Sequence, residues 1–342
     1  MSFSTTHQGV LLPHAISADT TDEATASSLA LARDVLNGLS QAQKTLPCIW
    51  FYDHRGSQLF EDITRLPEYY PTRTETRLLQ GLVGEVATTV GPHAQLIELG
   101  SGSSVKTRLL LQAMPELAAY VPVDISEAFL NDAVAGLLRD FPHLVVKPVV
   151  ADFTVPFALP RLPTQLHGQP SPRLGFFPGS TIGNFSPEAA TTLLTQFAQA
   201  LGPQAWLLIG VDTTQNSAML VPAYDDAQGV TADFNRNLLL RINRELGANF
   251  SLRHFHHAAR FDAAAGRVEM HLVSEIKQTV KVLGHHFDFQ AGESIHTENA
   301  YKYTAPAFMR LASSAGWREQ QVWSDDQGTG FSVFLMRSSA AG

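Results

Sequence analysis

Cysteine is all but missing from this 342-residue chain, where Cys48 stands alone. A single thiol forms no internal disulfide, and that usage points to a reducing, cytoplasmic compartment. Charged residues are scarce at 16%, and they sum to −8. With no basic field to offset phosphates, nucleic acid is excluded as a partner. No apolar run reaches the roughly 18 residues that a membrane span needs. The opening MSFSTTHQGVLLPHAISADT has neither a basic n-region nor a continuous apolar stretch, so it does not read as a signal peptide. Repeats and low-complexity linkers are absent too. What is there is 44% hydrophobic residues, enough for a substantial core in one large domain or two. The expectation is a soluble, monomeric, cytoplasmic protein that handles a small molecule.

Residues 1–20 carry no period and read as a loose arm. EATASSLALARDVLNGLS reads as a helix closed by Gly38. Thr72 and Glu75 form a capping box directly after Pro71, which predicts a helix starting at Thr72. Apolar runs at 96–99, 120–123, 144–150, 174–177 and 206–211 then alternate with helical patterns at 106–113, 127–138 and 187–201. The last of these has Ser186 as N-cap and Pro187 at N1. This alternation predicts an α/β, doubly wound and largely parallel sheet. The pattern breaks at TADFNRNLLLRINRELG, one helix ending at Gly247. Four strand-like segments follow: FHHAARFD, RVEMHLVSE, QTVKVLGHHFDF and ESIHTENAYKY, an α+β insertion. APAFMRLASSAGW makes a last helix, and REQQVWSD with FSVFLMR a closing antiparallel hairpin.

The stretch LIELGSGSSVKTRLLL passes from a strand through Gly100 and Gly102 into a helix opened by Lys106. Such a turn brings backbone N–H groups and a helix N-terminus to a ligand. The dinucleotide fingerprint G-x-G-x-x-G is incomplete, with Val105 at the third glycine, which disfavours an oxidoreductase. Glu98, before the turn, repels a pyrophosphate and attracts a cation. Asp124 ends the second apolar run, where ribose hydroxyls need an acceptor. Asp152 ends the third, beside Phe153, where an adenine can be hydrogen-bonded and covered. Carboxylates ending three successive strands, with no P-loop, fit a cationic, phosphate-free adenosine cofactor, S-adenosylmethionine. The same residues also suit turns and helix caps, and the aromatic segment 50–70 also suits a core. His254, His256, His257, His285 and His286 offer no third ligand set, so no metal is expected.

Five segments together resemble the ergothioneine-pathway L-histidine Nα-methyltransferases: FYDHRGSQLFEDITRLPEYYPTRTE, IELGSGSSVKTR, FPGSTIGNF, AYDDAQGVTADFNRNLLLRINRELGANF and VEM. They keep their order across residues 45–335. The resemblance implies a class I methyltransferase Rossmann-like sheet with a closing antiparallel hairpin, plus an α+β substrate-binding domain. Segments 21–73 and 215–300 would bind substrate, and 74–214 with 301–342 would form the S-adenosylmethionine core. The implied reaction converts L-histidine to hercynine in three successive transfers. Gly100, Gly102 and Lys106 would contact the cofactor, Asp124 its ribose, and Asp152 with Phe153 its adenine. Tyr69 would lie beside the imidazole. Asn184 and Tyr224 would hold the carboxylate and amine end, and Tyr52 would approach the amine, making Tyr52, Asn184 and Tyr224 the catalytic set. Met270 and Glu298 would shape the imidazole end.

One departure stands out. The family pattern T-E-x-S reads Thr297-Glu298-Asn299-Ala300 here, so the serine expected to hydrogen-bond the imidazole is missing. Asn299, Thr297 or a water would have to take its role. The alternative is a pocket for another aromatic or heteroaromatic amino acid, or a small amine. Glu298 is retained, and a carboxylate facing a phenyl or indole ring would be a costly unpaired charge. A ring that donates hydrogen bonds is therefore the first expectation.

Overall fold

A computed structural model describes residues 19–101, 105–125, 127–160 and 171–339. The expected arm lies outside them except for its last two residues. The five alternating runs form parallel strands: β1 (Gln95–Leu99), β2 (Ala119–Asp124), β3 (Val149–Val150), β4 (Arg173–Phe177) and β5 (Trp206–Asp212). The closing hairpin supplies β6 (Trp317–Ser324) and β7 (Phe331–Ser338). Their order in space is β6-β7-β5-β4-β1-β2-β3, with β7 antiparallel to β5.

Successive residues of a strand face opposite sides, so a sheet covered on both faces must be apolar throughout. Here Ile97, Val121, Phe177, Ile209 and Phe334 enter one core, and their neighbours Leu96, Tyr120, Phe176, Leu208 and Leu335 enter the other. The run 144–150 pairs only weakly: beyond β3 it makes a single bridge, Tyr120 to Val146. It is the sheet edge, and Val145 and Val150 are about half exposed there.

The insertion and the N-terminal segment share a further core, which gathers residues from Leu31 to Tyr70 and from Ala223 to Ile295. Its sheet has the order Lys44–Thr45, Ser294–Tyr301, Arg267–Ser274, Phe255–Asp262. A separate hairpin joins Gln278–Val282 to His285–Phe289. The helices Asp19–Leu39, His54–Thr64 and Val230–Leu246 line the same core, the last closed by Gly247 at φ 62°. Among the described residues no helix is long and apolar enough to cross a membrane.

Two helix ends differ from the sequence reading. Gly38 lies inside the Asp19–Leu39 helix instead of closing it, and its missing side chain admits the Thr45 carbonyl oxygen, which a Cβ would meet at 2.0 Å. The helix expected from Thr72 spans Tyr70–Val90, and Tyr69 caps it without a side-chain bond. Glu75 is thus no capping residue. Fully buried, it pairs with the Lys106 ammonium and accepts a hydrogen bond from the Gly179 N–H at 2.8 Å. Gly210 in β5 makes room for it, since a Cβ there would lie 1.9 Å from Glu75 Oε1. Gly210→Ala must displace this carboxylate from its cation. The expected loss is about 3–5 kcal/mol, as for a broken buried ion pair, read by urea denaturation. A loss under about 1 kcal/mol would show that the carboxylate moves aside at little cost.

Candidate active site

The C-terminal ends of β1, β2 and β3 bring the proposed cofactor residues to one edge of the sheet. Gly100 has φ 75°, and the Phe153 ring lies 3.3 Å from where its Cβ would be. Only glycine admits both the left-handed turn and the ring. The Gly100 and Ser101 N–H groups both donate to the Val123 carbonyl, which sets the turn against the end of β2. Asp124 follows at once, and its carbonyl accepts from the Ala151 N–H, so the Asp124 and Asp152 chain ends lie side by side. Asp152 Oδ1 accepts from the Thr154 N–H and hydroxyl at 2.8 and 2.6 Å, which fixes the carboxylate in a turn. Gly102 lies outside the described residues. A Cβ-free cradle, an aromatic lid and carboxylates suited to hydroxyls and an amino group fit S-adenosylmethionine, with no phosphate to hold.

One expected role changes. Glu98 does not face a ligand. It is 3% exposed and accepts from Thr107 at 2.8 Å, from Ser101 and from the Tyr120 hydroxyl, so it braces the turn from behind. Burial raises its carboxyl above the ordinary range, and these donors oppose the rise. Lys106 lies at the mouth of the turn, with its charge on Glu75 and its ammonium 3.9 Å from where a Cβ on Gly179 would be.

Beyond β4 the chain turns through two left-handed residues, Gly179 and Ser180, into the turn Thr181–Asn184. Gly183 lets this turn press on the insertion, since a Cβ there would lie 2.7 Å from the Tyr301 carbonyl oxygen. Half-buried Asn184 is thereby set beside the end of the strand Ser294–Tyr301.

That strand carries the acidic residue of the candidate site. A bulge between His296 and Glu298 re-aims it, so that Glu298 rather than Thr297 stands opposite Met270. Met270 is 2% exposed in the insertion core. Burial pushes the Glu298 carboxyl up to about 7, opposed by the charge of Lys302. The Glu298 charge in turn acts on Cys48, Tyr52, Tyr69 and Tyr224, whose hydroxyls and thiol burial already holds protonated. Tyr69 meets Tyr224 edge-on at 6.3 Å, and Tyr52 reaches Tyr69 through Phe60. Tyr52 is 43% exposed although its hydroxyl stands among these groups, so its ring opens the candidate site to solvent. Ala300, on the Glu298 face, is 3% exposed and packs with Leu220, Val268 and Tyr224.

Asn299 does not join them. It stands opposite Glu269, on the other face of the sheet, beside His296. Glu269, His271 and His296 are a set of possible metal ligands, with ligand atoms within 4.8 Å of one another. The histidines flagged from sequence are not among them. Arg260 donates into this trio at 2.7 Å to His271 Nε2, and Arg267 at 2.6 Å to Glu269 Oε1. Glu269 is thus paired with two arginines in this structure, beside histidines that burial keeps neutral.

The sequence reading passed over Lys302 and Asp212. Lys302 Nζ donates to Asp212 Oδ2 at 2.7 Å and to the Tyr224 hydroxyl at 2.8 Å, and Tyr70 donates to the same Asp212 oxygen at 2.6 Å. Asp212 ends β5 as Asp124 ends β2, so the signal that exposed Asp124 was present. Lys302 offers only a lone charge between two tyrosines.

The reversed strand between β5 and β6 and the glycine cradle at the strand ends define a class I S-adenosylmethionine-dependent methyltransferase. Residues 31–338 match the family described as histidine-specific methyltransferase, SAM-dependent, and the chain belongs to that family. It is 42% identical over 304 residues to the histidine N-alpha-methyltransferase of Mycolicibacterium smegmatis, covering 87% of this chain and 92% of that one. It is 29% identical to ergothioneine biosynthesis protein 1 of Neurospora crassa, over 86% of this chain and 33% of that larger protein. It is also 25% identical to a 4-dimethylallyltryptophan N-methyltransferase of Epichloe festucae var. lolii, over 85% and 90% of the two chains.

The raised Glu298 carboxyl has a consequence for stability. Its folded value near 7 exceeds the ordinary 4.5, so its contribution is fully present below pH 4.5 and is lost as pH rises through 7. Glu298→Gln removes that loss. Its melting temperature should gain on the parent progressively from pH 5 to pH 8, by up to about 3 kcal/mol in stability. A pH-independent difference would place the carboxylate in water.

Proposed function

We propose that the enzyme methylates the α-amino group of L-histidine three times, yielding hercynine as in ergothioneine biosynthesis. The observation that carries this reading is Glu298, an enclosed carboxyl held near 7 among tyrosines. An imidazole titrates in the same range, near 6.5, so carboxyl and ring can share one proton. Phenyl and indole rings have no such proton to exchange. Residues 21–73 and 215–300 form the substrate-binding part, and 74–214 with 301–342 the cofactor core. In support, one apolar cluster joins the first pair of segments while two others cover the central sheet. The acidic balance supports a protein that binds no nucleic acid, and the lone cysteine supports a reducing, cytoplasmic compartment.

When bound, S-adenosylmethionine supplies an electrophilic methyl group; this chain supplies position. Tyr52, Asn184 and Tyr224 orient the amine and carboxylate end, while Tyr69, Met270 and Glu298 hold the ring. Burial keeps the three tyrosines protonated, so none of them acts as the base for the amine. The amine proton leaves to solvent through the opening at Tyr52. A trimethylated nitrogen has no proton left to lose, which ends the sequence.

A second reading, methylation of another aromatic amino acid, is favoured by Ala300. It presents an apolar surface, packed with Leu220 and Val268, where the family pattern has a hydroxyl. Mass spectrometry of products from histidine, tryptophan, tyrosine and phenylalanine separates the readings. Stepwise gain of three methyl groups on histidine alone is expected; methylation of another amino acid with histidine untouched would sink the first reading. Ala300→Ser restores a hydrogen bond worth about 0.5–1.5 kcal/mol, so the histidine KM should fall by about 2–13-fold. An unchanged KM would mean that another group already satisfies the ring.

A further inference from the structure

Lys302 follows the strand Ser294–Tyr301, and its side chain is 2% exposed against a fully buried Asp212. Its ammonium gives one hydrogen to Asp212 Oδ2 and one to the Tyr224 oxygen. Asp212 is itself held: Oδ2 also takes the Tyr70 hydroxyl, and Oδ1 takes the Thr214 N–H at 3.2 Å. The lysine head is therefore pinned between the end of β5 and the helix Ser217–Tyr224. A phenol oxygen that accepts from an ammonium still has its own proton to give. Burial and the negative charges of Asp212 and Glu298 keep that proton on Tyr224. Its ring meets Tyr69 in the candidate site, where an acceptor from the substrate completes the bond.

We propose that Lys302, anchored by Asp212, is a positioning residue that turns the Tyr224 hydroxyl into a donor for the carboxylate of an α-amino acid, so that the site takes amino acids and rejects the matching carboxylate-free amines. The proposal rests on the reading of Tyr224 as a substrate-contacting group. It explains why a charged pair is retained in a dry interior, where two apolar residues would be stable too.

A double-mutant cycle tests it. Lys302→Met alone leaves Asp212 buried without its cation, so the first variant is D212N/K302M, which removes both charges. Its histidine KM should rise about tenfold, the cost of one charge-assisted hydrogen bond, with kcat changed less than about threefold. Y224F should show the same rise, and adding D212N/K302M to Y224F should add less than about twofold. Histamine, which lacks the carboxylate, should bind poorly to the parent and no worse to the variants. Tyr70→Phe keeps both charges but takes the Tyr70 hydrogen bond from Asp212, which loosens the lysine's anchor. It should raise KM in the parent and not in Y224F, and it serves if the first variant fails to fold. Multiplying effects in the triple variant, or an equal loss for histamine, overturns the positioning role. If the parent methylates a different amino acid, the same cycle on that amino acid and its decarboxylated amine decides the matter. A parent that binds no amino acid by calorimetry removes both readings.

Discussion

The carboxylate of Glu75 sits where the first helix of the core, the glycine turn and the loop after β4 come together. It faces Lys106 from the helix behind the turn and the Gly179 N–H from the loop. A buried charge without partners costs several kcal/mol, so these segments cannot drift apart independently. That constraint sets both ends of the active site. Gly179 leads into the turn that ends at Asn184, and Lys106 lies in the first turn of the helix Val105–Ala113, which follows the proposed cofactor cradle. The absence of a side chain at Gly210 is what lets the carboxylate reach its place. One missing Cβ in a core strand thus supports a loop several residues away.

A second buried pair does for the insertion what Glu75 does for the core. Asp212 belongs to the central sheet, Tyr224 to a helix of the insertion, and Lys302 to the segment that leads back from the insertion sheet. Their hydrogen bonds tie the insertion to the sheet edge where the proposed cofactor residues gather. The bulge at Thr297 belongs to the same logic. An unbroken register would put Thr297 opposite Met270; the extra residue puts Glu298 there instead. The result is a carboxyl in a low-dielectric site, poised near neutrality, ringed by hydroxyls that burial keeps protonated.

Much of the fold was legible because its signals are local. Ser186 followed by Pro187 marks a helix start wherever it occurs, and the helix Pro187–Leu201 begins there. Continuous apolar runs announced a two-sided sheet, and only the edge run 144–150 failed to form a full strand. The candidate cofactor residues Gly100, Asp124, Asp152 and Phe153 were legible as a group from their place at strand ends, and the fold brings those ends to one edge of the sheet. Tyr52, Tyr69, Asn184, Tyr224, Met270 and Glu298 came from resemblance, since nothing in their spacing points to a common pocket. Thr72 and Glu75 misled because a glutamate three residues after a threonine reads as a capping box, while here the carboxylate turns inward to Lys106. Asn299 misled because a strand residue next to a site residue faces the other way.

The sequence by itself determined the alternation of strands and helices, the glycine cradle and the acidic strand ends, because periodicity, caps and φ preferences act over a few residues. The tertiary structure alone decided which charges meet. Glu75 with Lys106, Asp212 with Lys302, and Glu298 with its tyrosines are separated by tens to hundreds of residues in the chain. Their energies depend on burial and on distances of a few ångströms, and neither quantity exists until the chain has folded.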